Sequence, residues 1–550
     1  MRLGDWRGAL QILDGLDSPD LWEQTRLNVW RAKCFLHLSD PVKAFELVRQ
    51  GSDTSFDQGP QLRDFARLIL ARSLTRLGEM PTALRLLARA TKESPNCGPL
   101  RHLLAELVVN VLGDWPIADK VLQPLHGVAA DARAIAAFAI KRQLYESSAR
   151  PENLAKDIER FAAHHLAAPA GAIGHSPAHG SGAPSSTEPV RRQRLGLISP
   201  MFSISPVYFL TFGALQLLAR DFDLVFFTRE CRSNWAEDAF RAIASEWHDV
   251  RGVPAFALTH KISNAKLHAL IDLSGWLDPT VLEALASKPA PIQIKWVGGQ
   301  STTTGLRSFD AYVSDVHQSP ASVRHLHSEP LAHLPNGYVT YTPPPYMPPP
   351  QAPSDANGPT RIGVVAHPKK LSRGFLAFLA QQMDLHNSRQ GQAVEVQLIG
   401  WQFGEAALQR RLQIALGLDE RHERGAVQVK YLASKSHQEH LCNVAATDWI
   451  VDTFPYTAGL TALEALALGI PYRTTHSGQH TAARHAYSHA RFAGLESKQI
   501  DLDALGVFQA GPLKKTGRSL LPDGCPRRDH AQLATDLARL IRNPSEYLVA

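Results

Sequence analysis

The sequence predicts an α/β protein: two parallel-sheet lobes preceded by an all-α domain of helical repeats. Three observations carry this. A short motif recurs four times in the first 125 residues, two proline- or glycine-rich breaks divide the rest of the chain, and each unit after a break alternates apolar β-rich runs with helical stretches. At 550 residues, 44% of them hydrophobic, the chain is long enough for about three or four domains with cores of their own.

The recurring motif reads Leu3-Gly-Asp-Trp-x-x-Ala9, Leu38-Ser-Asp-Pro-x-x-Ala44, Leu77-Gly-Glu-Met-x-x-Ala83 and Leu112-Gly-Asp-Trp-x-x-Ala118. Its alanines fall 35, 39 and 35 residues apart, with a polar turn before a small residue where two helices cross closely. That period resembles tetratricopeptide repeats over residues 1–125. Asn28–His37 and Asp64–Leu77 are expected as first helices of hairpins, Pro41–Gln50 and Pro81–Lys92 as second ones. The first repeat begins at its turn, so either a longer array precedes it or the terminal cap is degenerate. Such a stack offers a concave face to a protein or peptide, with Asn28 and Asn110 as candidate backbone-gripping residues; the alternative is a purely structural shoulder.

Residues 126–166 read as connecting helices, with helix expected to run on over Asp131–Ala168. The Ala/Gly/Ser/Pro/His stretch within 167–190 cannot bury a core and reads as a flexible linker. A first Rossmann-like lobe is expected over 191–341, with strands at Arg194–Ser199, Asp223–Thr228, Ala269–Ser274, Ile292–Val297 and Ala311–Ser314. A proline-dense hinge follows over 342–359, and a second lobe over 360–550 has strands at Arg361–Ala366, Val394–Ile399, Val427–Tyr431, Trp449–Thr453 and Tyr472–Thr474. Continuous apolar strands separated by helices mean parallel sheets covered on both faces, with a ligand in the cleft beyond their carboxyl ends.

Function classes narrow accordingly. The longest nearly apolar run, Val207–Ala219, falls short of the roughly 20 residues that span a bilayer, and the N-terminus lacks a signal-peptide core, so a cytoplasmic protein is expected. Five scattered cysteines without a CxxC pair suggest free thiols and no zinc. A net charge of +6 with no basic stripe gives no sign of nucleic-acid binding. Two Asp-x-Asp triplets and the pair His485/His489 lack the further ligands of a metal site, so no metal is expected.

The most telling stretch is Trp449–Gly469 (WIVDTFPYTAGLTALEALALG): a strand, a loop with Gly459, and a helix opening at Thr461. The first turn of a helix leaves amide N–H groups unpaired and carries partial positive charge, which suits a diphosphate. Thr461 with Glu464 equally fits a capping box, in which the two side chains satisfy the helix's own donors.

Several blocks together resemble the O-linked N-acetylglucosamine transferase, or SPINDLY-type, glycosyltransferases, which join tetratricopeptide repeats to twin Rossmann-like lobes of GT-B type. In the first lobe these are RLGLIS (194–199), ALIDLSGW (269–276), KPAPIQIKW (288–296), FDAYVSD (309–315) and Ser319-Pro320. In the second they are VDTFPY (451–456), Gly469-Ile-Pro471 and GQHTAAR (478–484).

The resemblance implies transfer of a hexose or N-acetylglucosamine from a UDP-sugar to a protein side chain (serine, threonine or asparagine), without a metal or other cofactor. Lys370 takes the place of a lysine on the donor diphosphate, with Lys369 beside it as a stand-in. Gly459, Leu460 and Thr461 form the phosphate turn, Glu464 stands where the family has a ribose-binding aspartate, and Arg484 ends a donor-binding block. Ala433 and Lys435 fall in the block that holds the uracil, with His437 or His440 as the ring near it.

Departures from the pattern are specific. Ser205 replaces a histidine before a proline, Phe209 replaces a second histidine, and Leu460-Thr461 replaces a threonine pair. The general base is open among His268, Asp272 and the loop 298–305, and Asp272 equally suits the capping of backbone amides. The resemblance also leaves room for a degenerate nucleotide-binding protein, or for a transferase that builds a polysaccharide or glycolipid.

Overall fold

The computed structural model describes residues 5–16, 18, 20–49, 59–166, 192–300, 302–353, 358–389, 392–418, 426–476, 478–509 and 513–549. The expected linker over 167–190 lies outside them. The leading segment is a run of antiparallel-hairpin helices: Trp6–Asp14, Leu21–His37, Pro41–Arg49, Pro60–Arg76, Met80–Glu93, Gly98–Leu107 and Trp115–Leu122. The motif explains the hairpins locally. Asp114 accepts a hydrogen bond from Ile117 N at 3.0 Å and so caps the helix that follows, while Ala44, Ala83 and Ala118 are fully buried where helices cross. Asn28 is already engaged, accepting from Arg31 Nη1 at 3.2 Å.

The expected continuous helix over Asp131–Ala168 is instead two helices, Ala132–Gln143 and Pro151–His165. Pro151 has no amide hydrogen to continue a helix, and starts a new one where that loss costs nothing.

The first lobe holds seven strands: β1 (Gln193–Ser199), β2 (Phe222–Thr228), β3 (Glu246–Asp249), β4 (Ala269–Asp272), β5 (Ile292–Lys295), β6 (Ala311–Ser314) and β7 (Leu331–His333). They lie in the order β3-β2-β1-β4-β5-β6-β7 with every pair parallel. The second holds β8 (Thr360–Val365), β9 (Val394–Ile399), β10 (Val427–Leu432), β11 (Trp449–Val451) and β12 (Tyr472–Arg473), ordered β10-β9-β8-β11-β12 and again parallel. β3 and β7 were not expected from the sequence. The first is polar (EWHD) and the second only three residues long, so neither shows an apolar run.

The end of the chain does not stay with the second lobe. The helix His530–Arg542 buries Leu533, Leu537, Leu540 and Ile541 and lies along Pro206–Leu218 of the first lobe, where His530 packs on Gly213. Val549 N then donates to Leu331 O of β7 at 2.8 Å. A second tie is fully buried: Arg527 Nη2 lies 3.2 Å from Asp315 Oδ2 and 2.8 Å from Ser488 Oγ, while its Nη1 donates to Val339 O at 2.8 Å.

Candidate active site

In each sheet the strand order reverses once, between β1 and β4 in the first and between β8 and β11 in the second. Loops leaving the two sides of such a switch point diverge and open a crevice at the carboxyl ends of the strands. In the second lobe that crevice is a cavity of about 530 Å³, lined by residues following β8 (Ala366, His367, Lys370), β9 (Gly400, Trp401, Gln402), β10 (Ser434 to His437, His440) and β11 (Gly459, Leu460, Thr461). Pro206 is the first-lobe residue among its walls.

Lys370 ends the turn Pro368–Lys370 just past β8. Its Nζ donates to Thr457 O at 2.9 Å and sits 4.5 Å from the centre of the Tyr456 ring. Burial lowers its pKa from 10.5 to about 8, with the Asp452 carboxylate pulling the other way. Asp452 itself is pushed up to about 6 by burial, although it accepts from Thr453 N, Ala458 N and Thr474 Oγ1 at 2.8, 2.9 and 2.7 Å. Lys369 is lowered further, to about 7, by burial and by the Lys141 and Lys370 charges.

Across the cavity the helix Leu460–Ala467 starts at Gly459, and no side chain caps it. The capping box is therefore not formed: Thr461 is in the first turn, and the Glu464 carboxylate accepts from His437 Nε2 at 2.8 Å. His437 Nδ1 lies 3.0 Å from the Tyr346 hydroxyl, so the ring is held from both sides, with Phe209 packed 5.0 Å away. With Nε2–H facing the carboxylate, the ring's orientation is set by both partners. Glu464 is 1% exposed and stands behind His437, not in the cavity wall.

The structure thus brings Lys370, Lys435, His437, His440, Gly459, Leu460 and Thr461 around one cavity, with Ala433 next to the lining residue Ser434. It sets the others apart. Ser205 Oγ donates to Met201 O at 2.7 Å and accepts from Val207 N at 3.1 Å, capping the helix that Pro206 opens. Asp272 is fully buried and accepts from Ser274 N at 2.7 Å and Gly275 N at 3.0 Å, so it caps backbone amides, the plainer of its two expected roles. Arg484 bridges the lobes by donating from Nε to His317 O at 2.8 Å. His268, one of the candidates for the general base, precedes β4 and so lies at the amino end of the sheet, away from the cleft at the carboxyl ends.

Tyr346, Trp401, Asp452 and Tyr456 were not singled out from the sequence. Tyr456 and Asp452 fall inside the VDTFPY block and could have been weighed there; Trp401 and Tyr346 carry no local signal. Among the described residues no cluster of three His, Cys, Asp or Glu side chains forms a metal site, and no helix is long and apolar enough to cross a membrane.

Comparison with known proteins gives the fold and kinship. Residues 190–341 match the model of glycosyl transferase family 41. The chain is similar to that family. Its relatives include the probable UDP-N-acetylglucosamine--peptide N-acetylglucosaminyltransferase SPINDLY of Petunia hybrida, 27% identical over 304 residues, 54% of this chain and 31% of that one. The SEC-named counterpart of Arabidopsis thaliana is 30% identical over 190 residues, 34% of this chain and 19% of the relative. The chain therefore spans about a third of the length of the first curated relatives it matches. A solved O-GlcNAc transferase of Thermobaculum terrenum superposes with a TM-score of 0.73 over 96% of this chain and 95% of its own, at 22% identity. The GT-B-type fold behind a helical array is thus established, and the resemblance read from the sequence blocks holds.

Proposed function

We propose that the chain is a glycosyltransferase that moves a hexose or N-acetylglucosamine from a UDP-sugar to a serine or threonine hydroxyl of a protein. One observation carries the reading: Lys370 and the uncapped helix start at Gly459–Thr461 face the same 530 Å³ cavity at the switch point of the second sheet. That volume lies within the range of small-molecule sites. A diphosphate placed there would meet an ammonium and the free amides of a helix's first turn, and Trp401, His437 and His440 would offer rings to the base. In the transfer the acceptor oxygen bonds to the anomeric carbon as its O–H bond breaks and the proton passes to solvent, the bond to the diphosphate oxygen breaks, and charge grows on the leaving UDP. Lys370 and the helix amides stabilise that charge without a metal.

A second reading, nucleotide binding without transfer, is favoured by the first lobe's wall of the cavity: it supplies Pro206, and Ser205 beside it is occupied in capping a helix. Calorimetric titration with UDP and with a panel of UDP-, GDP- and ADP-sugars, followed by transfer assays on peptides, tests both. Selective binding of UDP and one UDP-sugar with transfer supports the enzyme. Binding without transfer on any peptide supports the second reading, and absence of nucleotide binding overturns both.

A further inference from the structure

The helical array and the donor lobe meet at Lys370. Tyr145, from the connection between the two helices that precede the first lobe, stacks on Tyr456 with ring centres 5.0 Å apart and planes 8° from parallel. Trp115 of the last repeat stacks behind Tyr145 at 5.3 Å and donates from Nε1 to Lys369 O at 3.3 Å. A Cβ on Gly113 would collide with the Pro368 carbonyl, so the last repeat closes directly onto the turn that carries Lys370. On the other flank of the turn Ser147 Oγ lies 3.4 Å from Ser372 Oγ, which donates to Phe454 O at 2.7 Å. A row of rings, Trp115–Tyr145–Tyr456, therefore ends under the Lys370 ammonium.

We propose that Tyr456, braced by Tyr145 of the helical segment, is a positioning residue that holds the Lys370 ammonium for the donor diphosphate. The inference rests on the role given to Lys370 above. The physical need is clear. A lysine side chain is flexible, and ordering it at the moment of binding would cost entropy that prior ordering removes from the binding step. A carboxylate in direct contact would neutralise the charge the diphosphate requires; Asp452, whose charge does reach Lys370, is itself engaged by Thr453 N, Ala458 N and Thr474 Oγ1. The face of an aromatic ring attracts a cation while remaining uncharged, and Thr457 O fixes its direction. The ring works only if it cannot tilt, which is what the parallel Tyr145 provides.

The test is a double-mutant cycle on the full chain, read by UDP calorimetry, with ligand-observed NMR for weak complexes. Tyr456→Leu is expected to weaken UDP binding about tenfold, and Tyr145→Leu about threefold. Tyr456→Phe and Tyr145→Phe, which keep the ring faces, stay within twofold of the parent chain. In a Lys370→Met background neither leucine substitution has a further effect, because the group they act through is gone. Equal losses in both backgrounds would show that the tyrosines serve the nucleotide or the fold directly and would overturn the inference; so would undiminished affinity in Tyr456→Leu. Failure of the parent chain to bind UDP would overturn the site reading instead, and the inference with it. Melting curves of each variant separate loss of fold from loss of positioning.

Discussion

Replacing Lys370 by methionine separates a ligand-binding lysine from a structural one, because the structure assigns the two effects opposite signs. Holding the ammonium at about 8 instead of 10.5 means that burial costs the charged form on the order of 3 kcal/mol. Methionine removes that cost and keeps most of the volume. It also removes the hydrogen bond to Thr457 O and the contact with the Tyr456 ring, each worth about 1 kcal/mol. The unliganded variant should therefore melt no lower than its parent, with a net gain of about 0 to 1 kcal/mol. UDP affinity moves the other way. A charge-assisted hydrogen bond contributes about 1.5–3 kcal/mol, which is roughly a 10- to 150-fold weakening. Calorimetry with UDP and differential scanning calorimetry without it measure the two numbers. Unchanged UDP affinity together with a lowered melting temperature would refute the assignment and make Lys370 a packing residue.

UDP affinity should fall as pH rises through about 8, where Lys370 loses its proton. The slope should flatten in Lys370→Met, with Lys369 at about 7 accounting for what remains. Over the same range the linkage sign is reversed for folding: the native pKa of Lys370 is depressed, so the unfolded chain binds more protons between pH 8 and 10.5 and the parent gains stability relative to Lys370→Met as pH rises there. Glu464→Ala should lower the melting temperature by the equivalent of about 1–3 kcal/mol, since it leaves His437 without its buried acceptor; an unchanged melting curve with weakened UDP binding would place Glu464 on the ligand instead. Arg527→Met strands Asp315 as a lone buried charge and should cost about 3–5 kcal/mol in denaturant unfolding, with Asp315→Asn added to it recovering part of the loss.

Much of this was legible in the sequence for a simple reason: parallel sheets are buried on both faces, so their central strands are written as unbroken apolar runs. The LGLI centre of β1 and the LVFF centre of β2 are of this kind, whereas β9 (VEVQLI) is buried throughout although Glu395 and Gln397 interrupt its apolar residues. β3 and β7 are edge or near-edge strands and carry no such signature. The strand–loop–helix turn at Gly459 was legible because strand, glycine and apolar helix are adjacent in the chain, and the repeats because Ala44, Ala83 and Ala118 mark helix crossings at spacings of 39 and 35 residues. The contacts that refine the site were not. Tyr346 to His437, His437 to Glu464 and Tyr145 to Tyr456 join residues 91, 27 and 311 positions apart, and no local pattern encodes such pairings. Ser205 and Asp272 show the converse: each sits where a catalytic group would be sought, yet their hydrogen bonds are spent on a helix start and a turn.

The cleft also explains why the helical array should not be regarded as a detachable recruiting module. Lys141, Lys369, Lys370 and the His367 imidazole lie where the array meets the donor lobe; His367 and Lys369 are depressed first by burial and then by the neighbouring lysine charges, whereas Lys370 is depressed by burial against the pull of Asp452. The turn is packed from both sides: Gly113 and Trp115 of the array press on Pro368 and Lys369, while Tyr456 and Thr457 of the second lobe hold the Lys370 ammonium. Without the array, the turn Pro368–Lys370 would lose the surface that Gly113 and Trp115 press against it, water would reach the ammonium, and its pKa would return toward 10.5. The lysine would still be charged, but it would be mobile and hydrated, and would have to be ordered and desolvated at each binding event. The last repeat therefore packs on the turn that carries Lys370, so a perturbation at Gly113 or Trp115 has a packed route to that lysine.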